Sequence, residues 1–215
     1  MNSLWSRFLE KRLTKKVLPH TLVSRERIHN LYVLAQRIER ERIPGDVIEC
    51  GVYKGGTAAV LARVATHSKM GRTVWLFDSF QGMPQTTEID GDEARQFVGK
   101  LVASPDEVRL LLRRVGADLR RVKIIPGLFQ DTFSSISIEK VALLNLDCDW
   151  YDSVKLCLDR FYGVVADRGF ISLDDYGHWH GCRLAVDAFF KEHDLSYILH
   201  EVDYSARFFQ KLGKK

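Results

Sequence analysis

Short apolar runs that end on a carboxylate alternate along this chain with stretches of helical spacing. Val47-Ile48 leads into Glu49, Thr73 to Phe77 into Asp78, Val141 to Leu146 into Asp147, and Phe170 to Leu173 into Asp174; Val122 to Ile125 is a further strand. Between them lie helical segments. Ser24 can cap a helix carrying Ile28, Leu31, Ala35 and Ile38 that ends before Pro44-Gly45. Thr57 to Ala65 reads as helix, and Ser104-Pro-Asp-Glu107 is a capping box with proline at the first helical position, opening a helix that stops near Gly116. A helix from about Ser153 to Tyr162 and a last one carrying Leu184, Ala185, Ala188 and Phe189 complete the alternation. Strands alternating with helices imply an α/β fold with a mostly parallel, doubly wound sheet. The tail, Tyr197 to Val202 and Arg207 to Lys211, reads as a closing hairpin joined near Tyr204-Ser205, and the polar stretch Gln85 to Lys100 as a mobile flap.

In such sheets ligands bind outside the carboxyl ends of the strands, which places Glu49, Asp78, Asp147 and Asp174 on one rim. A carboxylate at the end of an apolar strand is not there for packing, because an unpaired buried charge costs several kcal/mol or is forced to protonate. Carboxylates converging on one sheet edge call for a cation, and an all-oxygen aspartate set suits a hard divalent ion such as Mg²⁺. The competing reading of each aspartate is a cap on the following helix.

The first loop, Glu49-Cys-Gly51-Val-Tyr53-Lys-Gly55-Gly56-Thr57, supplies glycines ahead of a helix N-terminus without being GxGxxG. Asp78, ending the second strand, is placed to accept from both hydroxyls of a ribose. NAD shares both features. Glu49 inside the loop tilts the choice, since a carboxylate repels a pyrophosphate and suits the ammonium of S-adenosylmethionine.

These motifs carry a resemblance. Pro44-Gly-Asp-Val-Ile-Glu49-Cys-Gly-Val-Tyr-Lys-Gly-Gly56, Leu76-Phe-Asp78-Ser-Phe80-Gln-Gly-Met-Pro84, Leu146-Asp-Cys-Asp-Trp-Tyr-Asp-Ser153 and Leu173-Asp-Asp-Tyr-Gly-His-Trp179, in that order, resemble the macrocin O-methyltransferase family from about His20 to the last helix. The resemblance implies a three-layer, Rossmann-like class I methyltransferase sheet whose last strand is antiparallel. It implies a S-adenosylmethionine- and Mg²⁺- (or Mn²⁺-) dependent enzyme that methylates a hydroxyl of a sugar or glycoside. Carried over by position, Glu49 meets the methionine amino group, Gly51, Tyr53, Gly55 and Thr57 form that end, and Asp78 holds the ribose. Ser79, Phe80 and the Leu128-Phe129-Gln130 stretch surround the adenine, and Thr21 closes over the cofactor. Asp147, Asp174 and Asp175 match the metal ligands, Asp147 also borders the cofactor, and Asp149 matches the general base. A cap role for Asp149 stays open, and His178 or His180 could take the proton instead. Arg183 either steadies an anionic substrate group or pairs with the acidic rim.

Composition sets the remaining bounds. With 215 residues the chain can bury a sizeable core in one domain, divided here into an N-terminal helical arm (1–43) and the methyltransferase domain (44–215). A net charge of +4 does not by itself imply nucleic acid. An amino-group methylase of nucleic acids would want an Asn/Asp-Pro-Pro-Tyr-like site where Asp147-Cys-Asp-Trp stands, and a methyltransferase of another vicinal diol such as a catechol is the nearer rival. No apolar run reaches the roughly 20 residues of a membrane span, and Cys50, Cys148, Cys157 and Cys182 are scattered as in a reduced cytoplasmic protein. Cys148, between two aspartates, should be inert. The N-terminus lacks the apolar core and cleavage site of a secretory signal. Leu4, Trp5, Phe8 and Leu9 share a helical face opposite basic residues, which reads as an arm packed on its own domain or a sister subunit before a membrane-surface helix. The resemblance implies a homodimer through the N-terminal helices. The acidic residues of the flap, Glu88, Asp90, Asp92 and Glu93, would favour a neutral or cationic acceptor.

Overall fold

The computed structural model describes residues 3–213, with side chains from Phe8 onward, so Leu4 and Trp5 lie outside the described side chains. Its elements run α1 (Ser3–Val17), α2 (Arg25–Arg40), β1 (Asp46–Cys50), α3 (Gly56–Ala65), β2 (Val74–Asp78), α4 (Gly91–Arg95), α5 (Pro105–Val115), β3 (Val122–Pro126), α6 (Phe129–Thr132), β4 (Val141–Leu146), α7 (Tyr151–Phe161), β5 (Val165–Leu173), α8 (His180–Glu192), β6 (His200–Glu201) and β7 (Arg207–Gln210). The strands form one seven-stranded sheet in the order β3-β2-β1-β4-β5-β7-β6. β1 to β5 pair in parallel, while β7 runs antiparallel to both β5 and β6.

β1 and β4 lie at the sheet centre and are buried along nearly their whole length, as strands covered on both faces must be. One core cluster joins Leu13, Val17, Ile28 and Leu31 of the first two helices to Val60, Leu61, Leu111 and Leu112 of α3 and α5. The other joins Leu144 and Leu173 to Val154, Leu158, Ala185 and Phe189 of α7 and α8. The strand order changes direction between β1 and β4, and the loops after these strands open onto the same edge.

Local chemistry accounts for the boundaries. Ser24 caps α2 by accepting the Arg27 N–H at 3.1 Å. Ser104 and Glu107 close a reciprocal capping box on α5, which ends at Gly116 in the left-handed conformation (φ 77°). Besides the start of α7, at Tyr151 and not near Ser153, three features differ from the sequence reading. β5 begins five residues before Phe170, because Asp167, Arg168 and Gly169 form an irregularity that the partner strand spans from Val141 to Leu143. The hairpin strands shrink to His200–Glu201 and Arg207–Gln210 around a turn centred on Asp203, Tyr204 and Ser205. The third concerns the flap, Gln85 to Lys100, which is a built loop.

Main-chain bonds close the base of this loop: Met83 N–H to Lys100 at 2.8 Å and Gly99 N–H to Met83 at 2.9 Å. Its tip carries a short 3₁₀ turn at Glu88–Asp90 followed by α4. Asp90 is turned inward, accepting from the Thr87 N–H at 2.8 Å and from the Tyr151 N–H at 2.7 Å. It therefore caps α7, whose own N-cap residue, Trp150, supplies no side-chain bond. Among the described residues, no helix is long and apolar enough to cross a membrane.

Candidate active site

A cavity of about 840 Å³ opens at the carboxyl ends of β1, β2, β4 and β5. One end is built on the glycine loop. Tyr53 and Gly55 have positive φ (49° and 84°), and α3 follows at once, leaving its first N–H groups free for a ligand. Gly56 is packed too closely for any side chain, since an added Cβ would lie 2.6 Å from Cβ of Thr21. Asp78 fixes the loop: its Oδ2 accepts the N–H groups of Val52 (2.7 Å) and Tyr53 (2.9 Å), and its Oδ1 that of Phe80 (2.7 Å). Thr21, Gly51, Tyr53, Thr57, Asp78 and Ser79 line this end, with Phe129 and Gln130 of α6 opposite.

Five residues expected at the site or its rim lie off the cavity wall. Glu49 is fully buried one layer behind the wall, where Asn145 Nδ2 donates to its Oε1 at 2.9 Å and its Oε2 has no partner. Burial pushes its pKa up to about 8, against the opposing hydrogen bonds from Thr57 and Asn145. Phe80, at φ 55°, turns from the cavity and packs on the core. Gly55 faces Val108, whose methyl lies 3.0 Å from a Cβ added there. His180 is exposed at the first position of α8, off the cavity wall. Arg183 also lies off the wall, donating to the Tyr176 carbonyl at 3.2 Å and standing over the Tyr176 ring.

The other end is acidic. Asp147, Asp149, Asp174 and Asp175 all line the cavity, and carboxylate oxygens of Asp147, Asp149 and Asp175 lie within 4.8 Å of one another. Asp174 is instead taken by Arg27, whose Nη1 lies 2.5 Å from its Oδ2. Asp149 reaches the cluster from a left-handed turn (φ 59°), a conformation unfavourable to a residue with a side chain. Neither Asp149 nor the Asp174-Asp175 pair caps a helix, since the N-cap residues of α7 and α8 are Trp150 and Trp179. Burial, then mutual repulsion, raises Asp149 to about 7 and Asp147 and Asp175 well above the ordinary range, while burial raises Asp174 to about 6 against the pull of Arg27. Asp175 Oδ2 is buried without a partner. An orphaned oxygen among crowded carboxylates of this chemistry fits a hard divalent cation.

Aromatic side chains wall the acidic end. Trp179 packs edge-on against Trp150 and Phe97 at 5.0 and 5.5 Å, and His178 lies between Trp179 and Tyr204. His178 lines the cavity, so of the two histidines it alone stands by the carboxylates. The Cys148 thiol is raised: a hydrogen bond from Cys157 opposes the rise, and burial with nearby Cys50, Asp149 and Asp147 prevails.

Sequence reasoning passed over Arg27, Leu22, Met83 and Phe97, which also line the cavity. Arg27 had a signal, because it falls on the same helical stripe as Leu31, Leu34 and Ile38, where a charge is out of place without a partner.

Sheet order, glycine loop and the aspartate ending β2 define a class I methyltransferase. Over residues 10–211 the chain matches the family described as macrocin-O-methyltransferase (TylF), and it belongs to that family. The match begins inside α1, upstream of the His20 start expected from the motifs. The chain is 32% identical over 199 residues to demethyldecarbamoylnovobiocin O-methyltransferase of Streptomyces niveus, covering 89% of this chain and 76% of that one. It is 32% identical over 193 residues to mycinamicin III 3''-O-methyltransferase of Micromonospora griseorubida, covering 86% and 75%. The structure of the O-methyltransferase NovP superposes with a TM-score of 0.84 at 26% identity, covering 98% of this chain and 99% of that one. The protein is thus an S-adenosylmethionine-dependent O-methyltransferase.

Proposed function

We propose that the protein transfers the methyl group of S-adenosylmethionine to a hydroxyl of a sugar or glycoside, assisted by Mg²⁺ or Mn²⁺ at the carboxylate end. The observation that carries this reading is one cavity with two chemically distinct ends, a glycine loop with Asp78 at one and four aspartates at the other. By their names the relatives above methylate a novobiocin and a mycinamicin compound, and a 30% identical relative of Streptomyces olivaceus a rhamnosyl-tetracenomycin, which supports a glycoside acceptor here.

Asp78 combines two tasks, since its three N–H contacts leave lone-pair capacity for ribose hydroxyls. Glu49, neutral at its raised pKa, acts from behind the loop and does not itself wall the methionine site. Asp147 and Asp175, with Asp174 beside them, would hold the cation, which would supply Lewis-acid polarisation of the acceptor hydroxyl. Asp149, with its pKa near 7 and a hydrogen bond from Trp179, is suited to take the hydroxyl proton on its carboxylate. The walls of Trp150, Trp179 and Phe97 exclude water from the reacting groups and orient the acceptor. Four buried free cysteines suit a reducing cytoplasm. A dimer through α1, which leaves Phe8 and Leu9 53% and 38% exposed in the single chain, belongs to the same reading and is checked by light scattering.

Calorimetric titration of S-adenosylmethionine into EDTA-treated protein, with and without Mg²⁺, followed by methyl transfer to a panel of sugars bearing vicinal hydroxyls and of catechols, tests the proposal. Binding in both conditions with transfer only in Mg²⁺ is expected. Absence of binding would overturn the cofactor assignment, transfer in EDTA the metal assignment, and transfer confined to catechols the acceptor class. Asp174→Asn combined with Asp175→Asn should abolish turnover and keep cofactor binding within about threefold; equal loss of both would place these residues at the cofactor instead.

A further inference from the structure

Arg27 reaches two carboxylates from distant parts of the chain. Its Nη1 lies 2.5 Å from Asp174 Oδ2 and its Nε 2.8 Å from Asp203 Oδ2, with the guanidinium 5.5 Å from the Tyr204 ring centre. The residue is 8% exposed and borders the cavity. Asp203 is built to receive it: the Ser205 and Ala206 N–H groups donate to its Oδ1 at 3.0 and 2.8 Å, and the Ser24 hydroxyl donates to its Oδ2 at 2.7 Å. Ser24 simultaneously caps α2 at the Arg27 N–H. One knot therefore joins the start of α2, the turn between β6 and β7, and Asp174 at the end of β5.

The segment 21–23 leaves this knot and walls the cavity beside Thr57. Its far end presses on the N-terminus of α3, where a Cβ added to Gly56 would come within 2.8 Å of the His20 carbonyl oxygen. These two ends set its register with the carboxylates across the cavity. A lysine could not replace the arginine, because two separate nitrogens of a rigid fork serve two carboxylates.

We propose that Arg27 is a positioning residue: its fork holds Asp174 beside the carboxylate cluster and, through Asp203 and Ser24, seats residues 21–23 over the cofactor end of the same cavity. This rests on the reading that the cavity takes S-adenosylmethionine, and it adds that the two ends are set together by one side chain.

Hydrogen exchange, melting temperature and S-adenosylhomocysteine affinity of Arg27→Met, Arg27→Lys and Asp203→Asn test it. Amides 21–24 should exchange at least tenfold faster in all three variants, and amides 174–177 only in the two Arg27 variants. S-adenosylhomocysteine should bind at least tenfold more weakly in all three, and the double variant Arg27→Met/Asp203→Asn no more weakly than Arg27→Met. Exchange unchanged within threefold at residues 21–24, or faster exchange spread through the β1 and β4 core with affinity intact, would overturn the proposal. If Arg27→Met does not fold, Arg27→Lys and Asp203→Asn separate the same outcomes. A wild type that fails to bind S-adenosylhomocysteine would overturn the cofactor reading and the proposal with it, whereas a wild type that binds beside unaffected variants overturns the proposal alone.

Discussion

Single side chains here serve fold and chemistry together, and Asp78 shows how closely the two are joined. Its place at the end of an apolar run made it a ribose candidate in the sequence; its grip on the Val52, Tyr53 and Phe80 N–H groups was not legible there, since the loop returns to it only in three dimensions. Asp78→Ala should weaken S-adenosylhomocysteine binding about 100-fold and also destabilise the fold by about 2 kcal/mol, because three N–H groups lose their acceptor. Calorimetry and urea titration separate the two losses, and lost affinity at unchanged stability would mean that the loop holds itself. Glu49 carries the opposite lesson. The motif match set it against the methionine amino group, and the sheet continues one residue past it and buries it at the level of Asn145. Its folded pKa is about 8, above the unfolded carboxyl range, so the folded state keeps a proton that the unfolded state has lost. That stabilisation is whole below the unfolded pKa and lost as pH rises toward 8. Glu49→Gln should therefore flatten the decline of melting temperature between pH 5 and 8, and an undiminished slope in the variant would assign the decline to other groups.

Elements were read best where their ends carry their own chemistry. The α5 box was visible because Ser104, Pro105 and Glu107 are adjacent in sequence, and Ser104→Ala should destabilise the protein by about 1 kcal/mol in urea titration, with no effect on cofactor affinity. The start of α7 was placed late, because its cap comes from Asp90, 61 residues upstream. The same bond ties the polar stretch read as a mobile flap to the start of α7. Charge density suggested that its acidic residues face an acceptor, yet Glu88, Asp90, Asp92 and Glu93 all lie off the cavity wall, which the loop builds instead from Met83, Pro84, Gln85 and Phe97. Arg72 is a comparable long-range case. It is 1% exposed, pairs with Glu39, and donates to the carbonyls of Gly45, Ile38 (3.0 Å) and Ile43 (2.6 Å), so it ties the end of α2 to the entry of β1. Arg72→Met should cost about 3 kcal/mol, through carbonyls and a carboxylate left without their donor.

Across the whole molecule, the stability of the metal-free protein is tied to the charge of its site. Asp147, Asp149, Asp174 and Asp175 all have raised folded pKa values, so the stability they contribute when protonated is lost as pH climbs toward and past 7. Melting temperature in EDTA should fall from pH 6 to 8, and Mg²⁺ should remove most of that fall; parallel curves with and without Mg²⁺ would exclude the cluster as a cation site. The alternation of strands and helices made the sheet legible, and the four carboxylates made its working edge legible. Convergence of Cys50 with Cys148 and Cys157 in one core cluster was not, because it depends on strand order. The loop after β2 has a further implication for how such enzymes diversify. Its base is closed by main-chain bonds between Met83 and Lys100 and between Gly99 and Met83, which almost any residues can make, and one inward carboxylate pins its tip. The span between can thus be exchanged as a cassette, changing the shape offered to an acceptor while the sheet and the carboxylates remain untouched.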